Sequence, residues 1–270
     1  MTDDSRAVYT LHYFPFSLYS LMARFAFVLG RELNPATAPT LEIRLVSTLN
    51  QDNLSEAYLT QVNKKGQVPA LTSPALESTL DDSYAIAKWL CKRQPELLPE
   101  EHRETIERLM DKLYTFHAKV LLEPPENQKH GVPNQAAAML ESTELTEGHR
   151  RALEIKSLFH DTFFSWTLDP NGIVKGQEQA REFLRELDVL LGENGEEKKW
   201  LFGPKPTILD AYAWTLVARL MEWNRFDVIP ERVRRFTEKV LKTEEWNKVT
   251  HGRPTRWTES VGDVAKLNPI

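Results

Sequence analysis

The chain has 270 residues, 41% hydrophobic and 10% aromatic, which suffices for one large domain or two ordinary ones and excludes global disorder. The net charge of −5 mixes both signs without a basic block, which argues against nucleic acid as the main partner. Cys91 is the single cysteine, so an internal disulfide and a cysteine-rich zinc site are excluded, and no run of about 18 apolar residues is present to cross a membrane.

The N-terminus, Met1-Thr2-Asp3-Asp4-Ser5, is acidic, and His12, Pro15 and Arg24 interrupt the apolar stretch behind it. This does not read as a signal peptide, and a cytoplasmic location is expected. Residues 8–14, rich in β-branched and aromatic side chains and ending at Pro15, predict a first strand. Residues 18–29 predict a helix with Leu21, Phe25, Val28 and Leu29 on one face, stopped by Gly30. Residues 41–46 alternate and predict a second strand. Residues 69–72 and 77–80 flank Ser73-Pro74 as the arms of a hairpin, and residues 83–92 predict a helix. The order strand–helix–strand, then strand–strand–helix, describes a compact α/β unit over 1–92.

Two prolines and several charges mark residues 93–103 as a linker, and 104–270 reads as an all-helical domain. Ile106, Leu109, Met110, Leu113, His117, Val120 and Leu121 fall on one face of a single long helix. Residues 123–147 are polar and proline-containing, a long loop with a short helix at 135–141. Helices follow over 150–168 and 177–191. Thr207 then caps a helix running to about 222, with Asp210 placed to return the bond. That helix is apolar nearly all round, as the buried centre of a bundle is.

Three segments carry candidate chemistry. In Gly66-Gln67-Val68-Pro69-Ala70-Leu71, a cis proline would leave the Val68 amide and carbonyl available to pair with an extended, peptide-like ligand. The plainer alternative is a trans proline opening an edge strand. At Asp82-Ser83 a helix N-terminus favours an anion, the Ser83 hydroxyl can add a bond, and Asp82 can meet an ammonium group; equally, either residue can simply cap the helix. Pro15-Phe16-Ser17-Leu18-Tyr19-Ser20 sets hydroxyls at the exit of the first strand. No Gly-x-Ser-x-Gly elbow surrounds them, so their expected use is hydrogen-bond donation, or helix capping.

In their order and spacing these segments resemble the cytosolic glutathione transferases over nearly the whole chain. Residues 15–24 resemble that family's first-strand exit, 62–71 its Asn-Pro-x-Gly-Lys-Val-Pro-Ala-Leu segment, 80–90 its Glu-Ser-x-Ala-Ile helix start, and 201–211 its C-terminal capping box. Leu18, Lys64 and Asp82 depart from the family's usual residues, and the closest resemblance is to serine-type, fungal members. The resemblance implies an N-terminal thioredoxin-like domain, a C-terminal helical bundle and a homodimer, with glutathione as co-substrate. By position, Ser17 would activate the glutathione thiol, with Tyr19 and Ser20 as alternatives. Val68 would pair with the cysteine backbone beside a cis Pro69, Gln67 would reach the glycine carboxylate, and Asp82 and Ser83 would hold the γ-glutamyl end.

A small hydrophobic electrophile is expected against Tyr13, Phe16, Tyr19, Tyr114 and His117, unless these aromatic residues are core. Trp257 either covers the site or packs on the surface, Arg24 is structural, and Cys91 belongs to the core. No metal is expected. Conjugation leads; a glutathione-dependent isomerase or biosynthetic enzyme, and a non-catalytic scaffold, are the alternatives.

Overall fold

Strand β1 (Val8–Tyr13) buries Tyr9, Leu11 and Tyr13 on one face, as the two-residue period of a strand requires. The computed structural model describes residues 7–122, 132–167 and 169–267; residues 123–131 of the expected long loop lie outside them. β1 pairs parallel with β2 (Thr40–Leu45) and antiparallel with β3 (Ala70–Thr72), giving the order β2-β1-β3. The expected hairpin is shorter than its pattern suggested. A turn closed by Leu76 N–H to the Ser73 carbonyl joins the two arms, and of the second only Leu80 meets Leu71, as an isolated bridge.

Helix α1 (Leu18–Leu33) connects β1 to β2 and runs past the expected stop at Gly30. Gly30 is a packing residue. The Gln94 side chain lies across it, Nε2 donating to the Gly30 carbonyl at 2.8 Å, and a Cβ there would meet Gln94 Oε1 at 2.1 Å. Helix α2 (Glu56–Gln61) precedes β3, and α3 (Ser83–Arg93) follows it.

The long helix expected across residues 106–121 is two helices, α4 (Arg103–Leu113) and α5 (Lys119–Leu122). Side chains take amides that a continuous helix would bond internally: His117 Nδ1 accepts from Lys119 N–H at 3.2 Å, and the Tyr19 hydroxyl from Ala118 N–H at 3.5 Å. A short helix α6 (Gln135–Met139) and a long α7 (Glu147–Thr167) follow. Helix α8 (Pro170–Asn194) starts well before the expected residue 177. Asp169 caps it by accepting from Asn171 and Gly172 N–H, and Pro170 occupies the first helical position, where its missing N–H costs nothing.

Helix α9 (Ile208–Glu222) is the buried centre of the helical half, as its apolar circumference required. Asp210 is fully buried and accepts from Leu201 N–H, Thr207 N–H, Thr207 Oγ1 and Trp214 Nε1 at 2.8–2.9 Å. Burial pushes its carboxyl up and these four donors oppose that shift. Helices α10 (Glu231–Val240) and α11 (Glu244–Thr250) complete the order. One core joins the two halves, with Phe25 of α1 edge-on to Trp246 of α11. No helix of the described residues is long and apolar enough to cross a membrane.

Candidate active site

A cavity of about 860 Å³ opens where the end of β1, the turn before β3, the start of α3, the α4–α5 junction and α7 converge. Ser17 lines it as the N-cap of α1, its Oγ accepting from Ser20 N–H at 3.3 Å. Capping and site exposure are thus properties of one hydroxyl. Its proton points to the Val68 carbonyl oxygen at 3.5 Å. Ser20 is buried behind it, with Oγ accepting from Phe14 N–H. Arg219 of α9, buried, fixes the approach to Ser17 by donating through Nη2 to the Phe16 carbonyl at 3.0 Å and through Nε to Thr255 Oγ1 at 2.8 Å.

The turn before β3 is held from below. Asn53 Nδ2 donates to the Gly66 carbonyl at 2.8 Å; Tyr58 and Asn63 both donate to the Gln67 carbonyl, at 2.7 and 2.9 Å. Asn63 also bonds the Asp81 carbonyl, tying this turn to the start of α3. The Val68–Pro69 peptide is cis. Among the described residues no acceptor takes the Val68 amide, and its carbonyl meets only Ser17.

Gln67, Val68, Pro69, Asp82 and Ser83 all line the cavity with Ser17. Asp82 caps α3, Oδ1 accepting from Ala85 N–H at 2.7 Å, so the plainer role foreseen for it is filled. Ser83 is buried against the helical half: its hydroxyl shares a 2.5 Å hydrogen bond with the Tyr114 hydroxyl, and its carbonyl accepts from Tyr212 at 2.6 Å.

Phe16, Tyr19, Tyr114 and His117 also line the cavity, where Tyr19 lies 6.3 Å from Tyr114 and 5.8 Å from His117 between ring centroids. Burial pushes the Tyr19 hydroxyl up to about 12 and, with Lys119 adding repulsion, lowers His117 to about 4. Both are neutral near pH 7. Tyr13 does not join them. The alternation that buries Tyr9 and Leu11 carries it into the core, beneath the Arg24 guanidinium at 5.0 Å. Arg24 also meets His251 Nε2 at 3.3 Å, a structural position. Trp257 lies away from the cavity, with Nε1 donating to the Gly262 carbonyl. Burial pushes the Cys91 thiol up to about 12.

Residues 137–242 match the family model described as "Glutathione S-transferase, C-terminal domain". A glutathione transferase family member from Pseudomonas fluorescens pf-5, with two glutathione bound, superposes with TM-score 0.55 over 90% of this chain and 92% of that one, at 17% identity. Holo maleyl pyruvate isomerase, a bacterial zeta-class glutathione transferase, gives 0.53 over 93% and 99%, at 19% identity. Human glutathione S-transferase T1-1 in its apo form gives 0.54 over 92% of each chain, at 17% identity. A search of curated proteins by sequence found no match.

The chain has the glutathione transferase fold. Within that fold, the cavity receives a face of α7 that the sequence analysis did not single out: Lys156, His160, Phe163 and Phe164. Their spacing of four, three and one residues places them together on a helix, and that was the available signal. Burial lowers the Lys156 ammonium to about 8. The cleft therefore joins hydroxyl and backbone groups from the sheet-bearing half to an aromatic wall and a buried cation from the helical half. An extended thiol peptide across the Val68 edge would meet the Ser17 hydroxyl, and the aromatic wall would exclude water from an apolar acceptor.

Proposed function

We propose that the protein binds glutathione in this cleft and that Ser17 activates its thiol for attack on a small hydrophobic electrophile, as a serine-type glutathione transferase. The observation that carries the reading is the Ser17 hydroxyl facing the Val68 carbonyl, beside an amide with no acceptor among the described residues. Val68 pairs with the cysteine backbone of the ligand, Gln67 lies toward its glycine, and Asp82 and Ser83 hold its γ-glutamyl end. On binding, the Ser17 proton turns from Val68 to the sulfur. A cysteine-like thiol titrates near 8.5, and donation to the anion lowers that value, each unit representing about 1.4 kcal/mol of differential stabilisation. The thiolate then forms a carbon–sulfur bond as the leaving group departs with its electron pair, or as an activated double bond takes up the pair and then a proton. Phe16, Tyr19, Tyr114 and His117 line the acceptor side, neutral and apolar enough to favour a hydrophobic partner.

Serine at position 17 cannot form a mixed disulfide, and Cys91, with its raised thiol, does not replace it. Redox chemistry is therefore disfavoured. The likeness to maleyl pyruvate isomerase keeps a second reading, in which the thiolate adds transiently and is expelled. The product mass separates the two: an adduct supports transfer, an unchanged mass isomerisation.

The test is a pH titration of thiolate absorbance for glutathione bound to the wild-type protein. A bound thiol titrating well below free glutathione is expected. Binding with no shift would overturn activation and leave a carrier; no binding would overturn the glutathione reading altogether.

A further inference from the structure

Helix α7 lies over α2. Ala152 and Leu153 pack with Leu54 and Leu59, and His149 Nε2 bonds the Leu54 carbonyl at 2.7 Å. This contact brings Lys156, one turn further along α7, against the turn before β3. Gly66 there has φ +57°, and a Cβ on it would stand 3.1 Å from Cδ and from Cε of Lys156. The side chain thus ends beside Gly66-Gln67, in the same cavity as Ser17.

Lys156 is only 9% exposed. Its ammonium stands 5.3 Å from the Phe159 ring, and among the described residues no carboxylate pairs with it. Asp161, the acid on the next turn, is engaged by His160 Nδ1 at 3.2 Å and Asn134 Nδ2 at 2.8 Å. Burial without an opposing charge accounts for the lowered pKa of Lys156. A buried cation is costly unless something pairs with it, and here the open side of the cation is the cleft.

The geometry points to Lys156 as the counter-ion for the C-terminal carboxylate of the bound peptide, supplied by the helical half rather than by the sheet-bearing half. This rests on the glutathione reading above. A ligand pairing with Val68 has one end at Ser83, beside Tyr114, and the other at Gly66-Gln67, between Asn53-Leu54 and Lys156 of α7. A carboxylate at the second end reaches the only buried ammonium among the described residues lining the cavity. The ligand then bridges both halves.

The probe pair is glutathione and its glycine monoethyl ester, which differ only in that carboxylate. A charge-assisted hydrogen bond predicts that wild type binds glutathione about tenfold or more tighter than the ester, by calorimetry. Lys156→Met keeps the aliphatic stem on Gly66 and should bring the ratio to near unity, mainly by weakening glutathione; Lys156→Arg should retain part of it. Equal wild-type binding of the two compounds would overturn the assignment without any variant. So would a ratio that persists in a folded Lys156→Met, or a Lys156→Met effect confined to the KM of acidic electrophiles. Those outcomes leave the glutathione reading standing, whereas failure of wild type to bind either compound removes both.

Discussion

The Ser17 hydroxyl and the Val68 carbonyl oxygen stand 3.5 Å apart at the end of β1, joining two segments fifty-one residues apart in the chain. The same Ser17 oxygen caps α1 through Ser20 N–H. Ser17→Ala should therefore do two separable things. Losing the cap should cost about 1 kcal/mol of stability. Losing donation to the thiolate should raise the bound thiol pKa and slow conjugation about 10- to 100-fold while glutathione affinity changes little. Ser17→Asp, which caps but cannot donate when ionised, should recover stability in urea unfolding but not the rate. Wild-type turnover by Ser17→Ala would exclude Ser17 as the activator and move attention to Tyr19, because Ser20 is buried behind the site.

Gly66 holds φ +57° against the Lys156 stem and the Asn53 carbonyl, whose oxygen would lie 3.1 Å from a Cβ at this position. Gly66→Ala adds left-handed strain and these close contacts, and should lower stability by about 1–2 kcal/mol and weaken ligand binding. An unchanged thermal midpoint with unchanged glutathione affinity would contradict this.

Asp210 is the acceptor for four buried donors. Asp210→Ala leaves them unpaired in the centre of the helical half and should destabilise by about 3–5 kcal/mol. The urea midpoint of the folded variant measures it; a loss under about 1 kcal/mol would mean that water replaces the carboxylate.

His12 and His117 are both lowered to about 4, chiefly by burial, with Arg44 and Lys119 adding repulsion. The unfolded chain binds the extra protons near pH 6.5. Between these values the unfolded state holds more protons, so the stability these residues confer is complete above about pH 6.5 and is lost as pH falls toward 4. His12 is nearly fully buried, and its share is on the order of 2 kcal/mol. His12→Gln, which can keep the bond to Thr72 Oγ1, should flatten the fall in urea midpoint between pH 7 and 4.5. A variant as acid-sensitive as wild type would show that His12 does not carry it.

The features legible in the sequence are those set by near neighbours. Its β-branched and aromatic content located β1, alternation located β2, the spacing of Thr207 and Asp210 located the start of α9, and the two short motifs at Val68-Pro69 and Asp82-Ser83 fall in the cavity lining. A cap bond or a strand period spans a few residues and leaves its mark there. Gly30 looked like a helix stop because its reason for being small, the Gln94 side chain, lies far along the chain. The break between α4 and α5 depends on Tyr19 reaching the Ala118 amide, which no local pattern near Ala118 records. Tyr13 matched the aromatic character of an acceptor site, but its strand face is buried under Arg24. Lys156 and Arg219 were ordinary charged residues on helices until folding placed one beside Gly66 and the other on the Phe16 carbonyl. By itself the sequence determined β1, β2, the capped and buried α9 and the polar edge of the cleft, because hydrogen-bonding and periodicity act over a few residues. Only the tertiary structure decided which charges are buried and which side chains share the cavity, because desolvation and contact depend on elements brought together from distant parts of the chain.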